Sequence, residues 1–567
     1  MWKELDDMRH LERKGERLPV ADEPSPKINP ERLKGGGAGA RQPQLVGPGN
    51  TNGHKNMSGA ESLVLTLINS GVETCFTNPG TSEMHFVAAL DRIPEIRCVL
   101  GLFEGVATGA ADGYGRIARK PAATLLHCGP GLANGLANLH NAQRARVPIV
   151  NIVGDQATYH RRFDAPLTAD IDGWARPVSV WTRSSLTAAS VGMDAAAAIQ
   201  AARNASGIAT LILPSDISWG EGGIPAKALP VSSLPSATPP RIAEIARILR
   251  SGGPTALVVA GNALEVDGLA AAHRIAALTQ ARLVAPTFNR LIQRGRGRHP
   301  IPLLPYVIDQ ALAALSGIRH LVLVGAQEPA GFFAYPGKPS LIRPDDASVH
   351  VLARPDEDAA GALMALSSEL GAPQVEPPPS QAPEPASGSV NSSSVAQTLA
   401  ALIPEDAIVV DESLSFGMSF YPGTHYAAPH EWLQLTGGAI GSGLPLATGA
   451  ALAAPGRRVI NLEGDGSSLY TVQALWTQAR EKLDVTTVIL SNRKYAILEM
   501  ELAKVGANPG RTALDLFDLS SPSLDWPRLA GSMGVEAARA ETLEQFADLL
   551  MVSNRQNGPF LIELVIP

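Results

Sequence analysis

Cysteine is scarce in this chain. Its 567 residues hold three, Cys75, Cys98 and Cys128, and none lies in a C-x-x-C pair. That spacing indicates neither a disulfide framework nor a zinc site, and it fits a reducing cytoplasm. Long apolar runs are also missing. The most apolar strings, such as "ATLLHCGPGLANGL" and "HLVLVGAQEPAGFF", are broken by Gly, Pro or polar residues before they could span a bilayer, so no membrane partner is expected. There is no excess of basic charge: the net charge of -7 disfavours a general nucleic-acid binder. The N-terminus mixes both charge signs without an apolar centre, which excludes a signal peptide.

What is present is a long chain of ordinary globular composition, enough for several domains. Residues 1–56 read as a disordered extension that is rich in Gly, Pro and Asn from Lys34 onward. A helix pattern over Ala60 to Ser70 then opens an alternation of helices and short apolar strands: "VETCFTNPG", "RCVLGL", "PAATLLHC", "PIVNIVGD" and "ATLILPSD". Short apolar strands separated by helical patterns predict a parallel sheet covered on both faces. The expected boundaries are a first α/β domain over 57–235, a middle one over 236–371, a Pro/Ser-rich linker over 372–394 and a third α/β domain over 395–567. The fold class is therefore α/β: three doubly wound domains with parallel sheets, the first and third similar and flanking the middle one.

Chemistry enters with "RRVINLEGDG", a strand ending in Gly464-Asp465-Gly466 and followed by the helical pattern "SSLYTVQALWTQAREK". A strand that feeds a helix through glycines offers free N–H groups to an anion, here from Gly464, Gly466 and Ser467. Asp465 cannot bind a diphosphate directly, because both are negative. Its useful role is to hold a hard cation, Mg²⁺, that bridges to phosphate. The next strand, "VTTVILSNRKY", ends on the same side of the sheet and brings Asn492, 27 positions after Asp465, with the main-chain carbonyl of Lys494 as a third ligand. Gly-Asp-Gly alone is most often a turn, and the strand-terminal Asn is what tips the reading towards a metal site.

These residues resemble the thiamine diphosphate family of 2-oxo acid decarboxylases and carboligases, in its acetolactate synthase-like and benzoylformate decarboxylase-like branches. The family signature is G-D-G, about two dozen residues, then N-N, and Ser491 here replaces the first Asn. The resemblance runs from Met57 to Pro567. It implies thiamine diphosphate and Mg²⁺ as cofactors, and a carboxylate set against the coenzyme's aminopyrimidine. "EGVATGAADGYGR" assigns that role to Glu104, with helix capping as the plain alternative. "LTGGAIGSGLPLATGAALA" places Ile440 as the apolar wedge that bends the coenzyme, with the Gly438 carbonyl facing the pyrimidine. Ser413 and Ser415 are weaker candidates for diphosphate contacts. Because the family's coenzyme bridges domains of two subunits, a homodimer at least, and a homotetramer by family habit, is expected.

The resemblance also implies a small 2-oxo acid substrate that loses CO₂, with ligation of the remaining unit to a second carbonyl. A benzoylformate-type decarboxylase releasing an aldehyde is the alternative. A silent cofactor- or partner-binding paralogue is the alternative of another class. His127 aligns with a proton-transferring histidine of benzoylformate decarboxylase, although a lone His is as often structural. That enzyme's second histidine has no match: the corresponding loop carries Phe332 and Phe333. Thr81 in "NPGTSEMHF" stands where the decarboxylase has a substrate-binding Ser, or else caps the next helix. Leu498 and Glu499 are pocket candidates. FAD, which acetolactate synthases add, stays possible but unsupported, since "VVAGNALEVDG" has spaced glycines only.

Overall fold

A computed structural model describes residues 57–507 and 510–567, so the expected extension over 1–56 lies outside the described residues. The first helix, Gly59–Asn69, starts where Ser58 and Glu61 form a reciprocal capping box. It buries Leu63 and Leu67, one helical turn apart, and the chain turns away at Gly71 with φ 77°.

Three sheets follow. The first joins β1 (Thr74–Thr77), β2 (Arg97–Leu100), β3 (Ala122–Leu126), β4 (Ile149–Asp155), β5 (Trp181–Ser184) and β6 (Ile208–Pro214) in the order β2-β1-β3-β4-β6-β5, every pair parallel. The strands β3, β4 and β6 are buried along their whole length, as a sheet covered on both faces requires. The second sheet takes β7 (Thr255–Val259), β8 (Arg282–Val284), β10 (His320–Val324) and β11 (Ser348–Ala353) in the order β11-β10-β7-β8, again parallel.

The third sheet holds β12 (Ile408–Glu412), β13 (His430–Gln434), β14 (Val459–Gly464), β15 (Val485–Ser491), β16 (Glu536–Ala540) and β17 (Phe560–Val565). Its seventh strand, β9 (Ile292–Arg294), comes from the middle stretch of the chain and pairs antiparallel with β13. Sequence patterning places 292–294 inside the middle unit. Three residues carry too little periodicity to announce a partner 136 positions away, from Arg294 to His430.

The first and third sheets are held together by two helices rich in small residues, Glu104–Ala118 and Gly443–Ala453. They approach so closely that a Cβ on Gly113 would lie 2.0 Å from the Leu446 carbonyl oxygen, and one on Gly449 would lie 1.8 Å from that of Ala110. Glycine is required at both positions. A buried Arg116–Asp112 pair of 2.7 Å fixes the same junction, with Arg116 Nη1 donating to the Gln434 carbonyl at 2.8 Å.

Where β9 meets β13, His430 is fully buried, its Nδ1 donating to the Ala428 carbonyl at 2.7 Å. Burial, reinforced by the neighbouring Arg294 charge, drives its pKa from 6.5 down to about 3, and burial likewise lowers His425 to about 4. An unfolded chain takes up protons at both residues below pH 6.5 while the folded chain does not, so stability is lost as pH falls from 6.5 towards 4. The melting temperature should therefore drop across that window in differential scanning fluorimetry, and His430→Asn should flatten the slope.

Among the described residues no helix is long and apolar enough to cross a membrane.

Candidate active site

Two half-sites stand on the two similar sheets. In the third sheet, the parallel strands β14 and β15 end side by side, with Gly464 in register with Leu490. Asp465 follows one and Asn492 the other. Asp465 accepts N–H groups from Gly466 at 2.9 Å and Arg493 at 2.6 Å, yet burial still raises its pKa from 3.8 to about 6. A buried carboxylate held in this way gains most from a cation beside it. Asn492 Oδ1 accepts the Lys494 N–H at 3.1 Å, and the Lys494 ammonium is 3.1 Å from Glu499. Ser413, Ser415, Asp465, Asn492 and Lys494 all line one cleft at these strand ends. The donor set, a carboxylate with amide and carbonyl oxygens, suits Mg²⁺.

One detail of this half-site differs from the sequence reading. The single helix expected after Gly466 is broken into a turn over Asp465–Ser468 and a helix over Ala474–Glu481. The break lets Thr471 Oγ1 donate to the Gly441 carbonyl at 2.8 Å, tying this segment to the wedge loop. Two serine hydroxyls of this half-site have acceptors within the protein. Ser413 Oγ is bound to Asp411 at 2.5 Å and Ser467 Oγ to Glu463 at 2.9 Å, so Ser467 has only its main chain to offer.

The wedge loop is clamped from both sides. Gly438 and Gly441 adopt φ of 78° and 84° on either side of Ile440, which is half-buried. From the first lobe, Asn141 pairs its side-chain amide with both the carbonyl and the N–H of Ala439, at 2.8 and 3.2 Å. From below, the buried Glu412 accepts three main-chain N–H groups, of Gly441, Ser442 and Gly443, at 2.6 to 2.8 Å. Behind it lies Glu463, whose pKa is pushed well above the carboxylate range by burial and by the Glu412 charge. Phe332 packs over the outer face of Gly438, where an added Cβ would meet its ring at 2.9 Å, and it belongs to an aromatic group with Phe288, Tyr306 and Phe333.

In the first sheet, Glu104 begins the Glu104–Ala118 helix and is 7% exposed. Its two oxygens accept side-chain amides from Asn78 at 3.3 Å and Asn134 at 3.0 Å, so the carboxylate is held by other segments rather than spent on capping its own helix. Nearby, His127 Nδ1 is 2.9 Å from Glu83 Oε2. A carboxylate only accepts, so the ring proton lies on Nδ1 and Nε2 keeps its lone pair. Thr81 is exposed and does not cap the turn it opens: Gly80 holds the N-cap position and donates its N–H to Glu83 at 2.8 Å. Leu498 is 42% exposed on the Ala496–Lys504 helix that follows β15, and Glu499 beside it faces Lys494.

Gly80 packs directly against His127, since a Cβ there would lie 2.3 Å from the imidazole Cγ. Gly80→Ala should displace the ring and cost about 100-fold in turnover, the scale of an ångström-sized misplacement, while coenzyme affinity stays unchanged. Steady-state kinetics with a coenzyme titration checks this.

Sequence reasoning missed Asn134, Asn141, Glu83 and Glu412. A signal existed for the first two: Asn134, Asn138 and Asn141 recur at helical spacing along one stripe of the Cys128–Arg144 helix. The partners that give Glu83 and Glu412 their meaning, His127 and the Gly441–Gly443 amides, are 44 and about 30 positions away, so no local pattern marks them.

One lobe offering metal-type oxygens at adjacent strand ends and another offering a buried carboxylate have the chemistry that an enzyme working with a diphosphate coenzyme needs. Residues 57–174 match the family model "Thiamine pyrophosphate enzyme, N-terminal TPP binding domain", and residues 415–564 match "Thiamine pyrophosphate enzyme, C-terminal TPP binding domain". The chain is 52% identical over 514 residues to "Putative acetolactate synthase large subunit IlvX" of Mycobacterium tuberculosis, covering 90% of this chain and 99% of that one. It is 30% identical to "Benzoylformate decarboxylase" of Pseudomonas aeruginosa, covering 87% and 96%. In three dimensions it is similar to the Rhodococcus jostii RHA1 thiamine diphosphate-dependent 4-hydroxybenzoylformate decarboxylase, with TM-score 0.76, 26% identity, and 89% and 98% covered. The chain belongs to the thiamine diphosphate-dependent 2-oxo acid decarboxylase and carboligase family, thiamine diphosphate and thiamine pyrophosphate being one coenzyme.

Proposed function

We propose that this enzyme removes CO₂ from a small 2-oxo acid and joins the remaining unit to a second carbonyl, in the manner of an acetolactate synthase. The observation that carries the reading is Phe332 against Gly438. The middle lobe turns an aromatic group towards the coenzyme segment where an aldehyde-releasing enzyme would want a second proton donor, and an apolar wall favours a carbon electrophile over a proton.

Bound thiamine diphosphate would supply an electron sink for the carbon–carbon bond cleavage. Asp465, Asn492 and the Lys494 carbonyl would hold Mg²⁺, with main-chain N–H groups of Gly464, Gly466 and Ser467 directed at the diphosphate. Ile440 would support the bend, with the Gly438 carbonyl at the pyrimidine. Glu104 would hold a proton at the pyrimidine ring. His127 Nε2 would exchange protons with the reacting unit, Thr81 would bind the substrate carboxylate, and Leu498 and Glu499 would border the pocket. Since Glu104 and Asp465 belong to separate half-sites, the working unit is proposed to be a homodimer or a pair of dimers. The three free thiols agree with a cytoplasmic setting.

Product analysis tests this. Pyruvate should give an acyloin-type ligation product; free aldehyde alone, from pyruvate or from an aryl 2-oxo acid, would replace this reading with the benzoylformate-type decarboxylase. The Glu83–His127 contact favours that second reading.

A further inference from the structure

Three ligand-type atoms of different chemistry converge in the first lobe. Glu83, His127 and Cys128 each offer one atom, and these atoms lie within 4.8 Å of one another. Spacing along the chain could not show this, because Glu83 stands 44 positions before His127. The Ser82 hydroxyl sits among them, 3.0 Å from His127 Nδ1, 3.1 Å from Cys128 Sγ and hydrogen-bonded to the Glu83 carboxylate. The hydroxyl donates to the carboxylate and its lone pairs face the other two atoms, so its oxygen occupies the point on which all three ligand-type atoms converge.

The site is built rather than incidental. Glu83 is 2% exposed and Cys128 1%, while the imidazole keeps a path to solvent. Cys128 is held at φ 50° where β3 turns into the Cys128–Arg144 helix, a conformation that costs free energy for a residue other than glycine. A thiolate, an imidazole and a carboxylate form a ligand set for zinc, whereas Mg²⁺ prefers oxygen alone.

We propose that Glu83, His127 and Cys128 bind a zinc-class divalent cation that blocks the imidazole. Ser82 turns aside, the cation takes the lone pair of Nδ1, and the Nδ1 proton moves to Nε2. The Cys128 thiol, whose pKa burial raises to about 11, loses its proton to solvent as the metal–sulfur bond forms. Atoms and charge balance with one proton released per cation, and no electrons change hands. The Nε2 lone pair is then gone. Binding stands on the geometry alone; its effect on turnover rests on the proton-transfer role proposed for His127.

The test uses the full-length enzyme with thiamine diphosphate and Mg²⁺, titrated with Cd²⁺ as a spectroscopic probe. A thiolate-to-cadmium charge-transfer band should saturate at one equivalent per chain with one proton released. Cys128→Ser should abolish it, and Glu83→Gln should weaken it at least about tenfold. Cys75 and Cys98 are register partners on β1 and β2, so Cys98→Ser is the control and should leave the band intact. No band, a band that survives Cys128→Ser, or one lost in Cys98→Ser would overturn the site. Zinc should inhibit the wild type and not Cys128→Ser. Cadmium binding as described with zinc leaving turnover untouched would uphold the site and overturn the role of His127.

Discussion

Glu104→Gln is expected to keep thiamine diphosphate and Mg²⁺ bound while turnover falls about 10²- to 10⁴-fold, the range spanned by a positioned proton-transfer group. The amide is nearly the same size as the carboxylate; its oxygen still accepts from one of Asn78 and Asn134, and the other can turn its own amide oxygen to the new NH₂, so the half-site keeps its shape. What it loses is the ability to hold and return a proton at the pyrimidine. Isothermal titration with the coenzyme alongside single-turnover kinetics separates the two effects. Full activity in the variant would remove Glu104 from the mechanism.

Asp465→Ala should do the reverse and abolish Mg²⁺-dependent retention of the coenzyme. Since even groups that merely orient metal ligands cost 10- to 100-fold in affinity, loss of a charged ligand should exceed about 100-fold. Only the ionised form can hold the cation, and the pKa of Asp465 is about 6, so wild-type retention should weaken as pH falls through that value. Equilibrium dialysis against Mg²⁺ and thiamine diphosphate at several pH values reads both effects. The two variants together also test the subunit arrangement. If each site takes Glu104 from one subunit and Asp465 from the other, co-refolded Glu104→Gln and Asp465→Ala chains should recover about a quarter of wild-type activity, because half the dimers are mixed and each carries one intact site. Sites confined to one chain would recover none.

Much of this was legible in the chain because parallel α/β architecture writes itself locally. Buried parallel strands are short continuous apolar runs, and loops at their carboxyl ends carry the chemistry, so "NLEGDG" and "ILSN" announced both the sheet and the place to look. Contacts between distant segments were not legible. The stub Ile292–Arg294 gives no hint that it borders His430, the break at Thr471 answers to a carbonyl 30 positions earlier, and Glu412 reads as an ordinary strand end until the loop around Ile440 folds over it. Glu83, His127 and Cys128 likewise acquire a common meaning only when two loops are brought face to face.

The borrowed edge strand β9 has a consequence for anyone dividing the protein. Without it, β13 would present an open row of unpaired amides and carbonyls, the kind of margin that recruits foreign strands. A fragment starting at the third lobe would thus be sticky by construction, whereas a cut placed ahead of the middle lobe keeps that margin sealed.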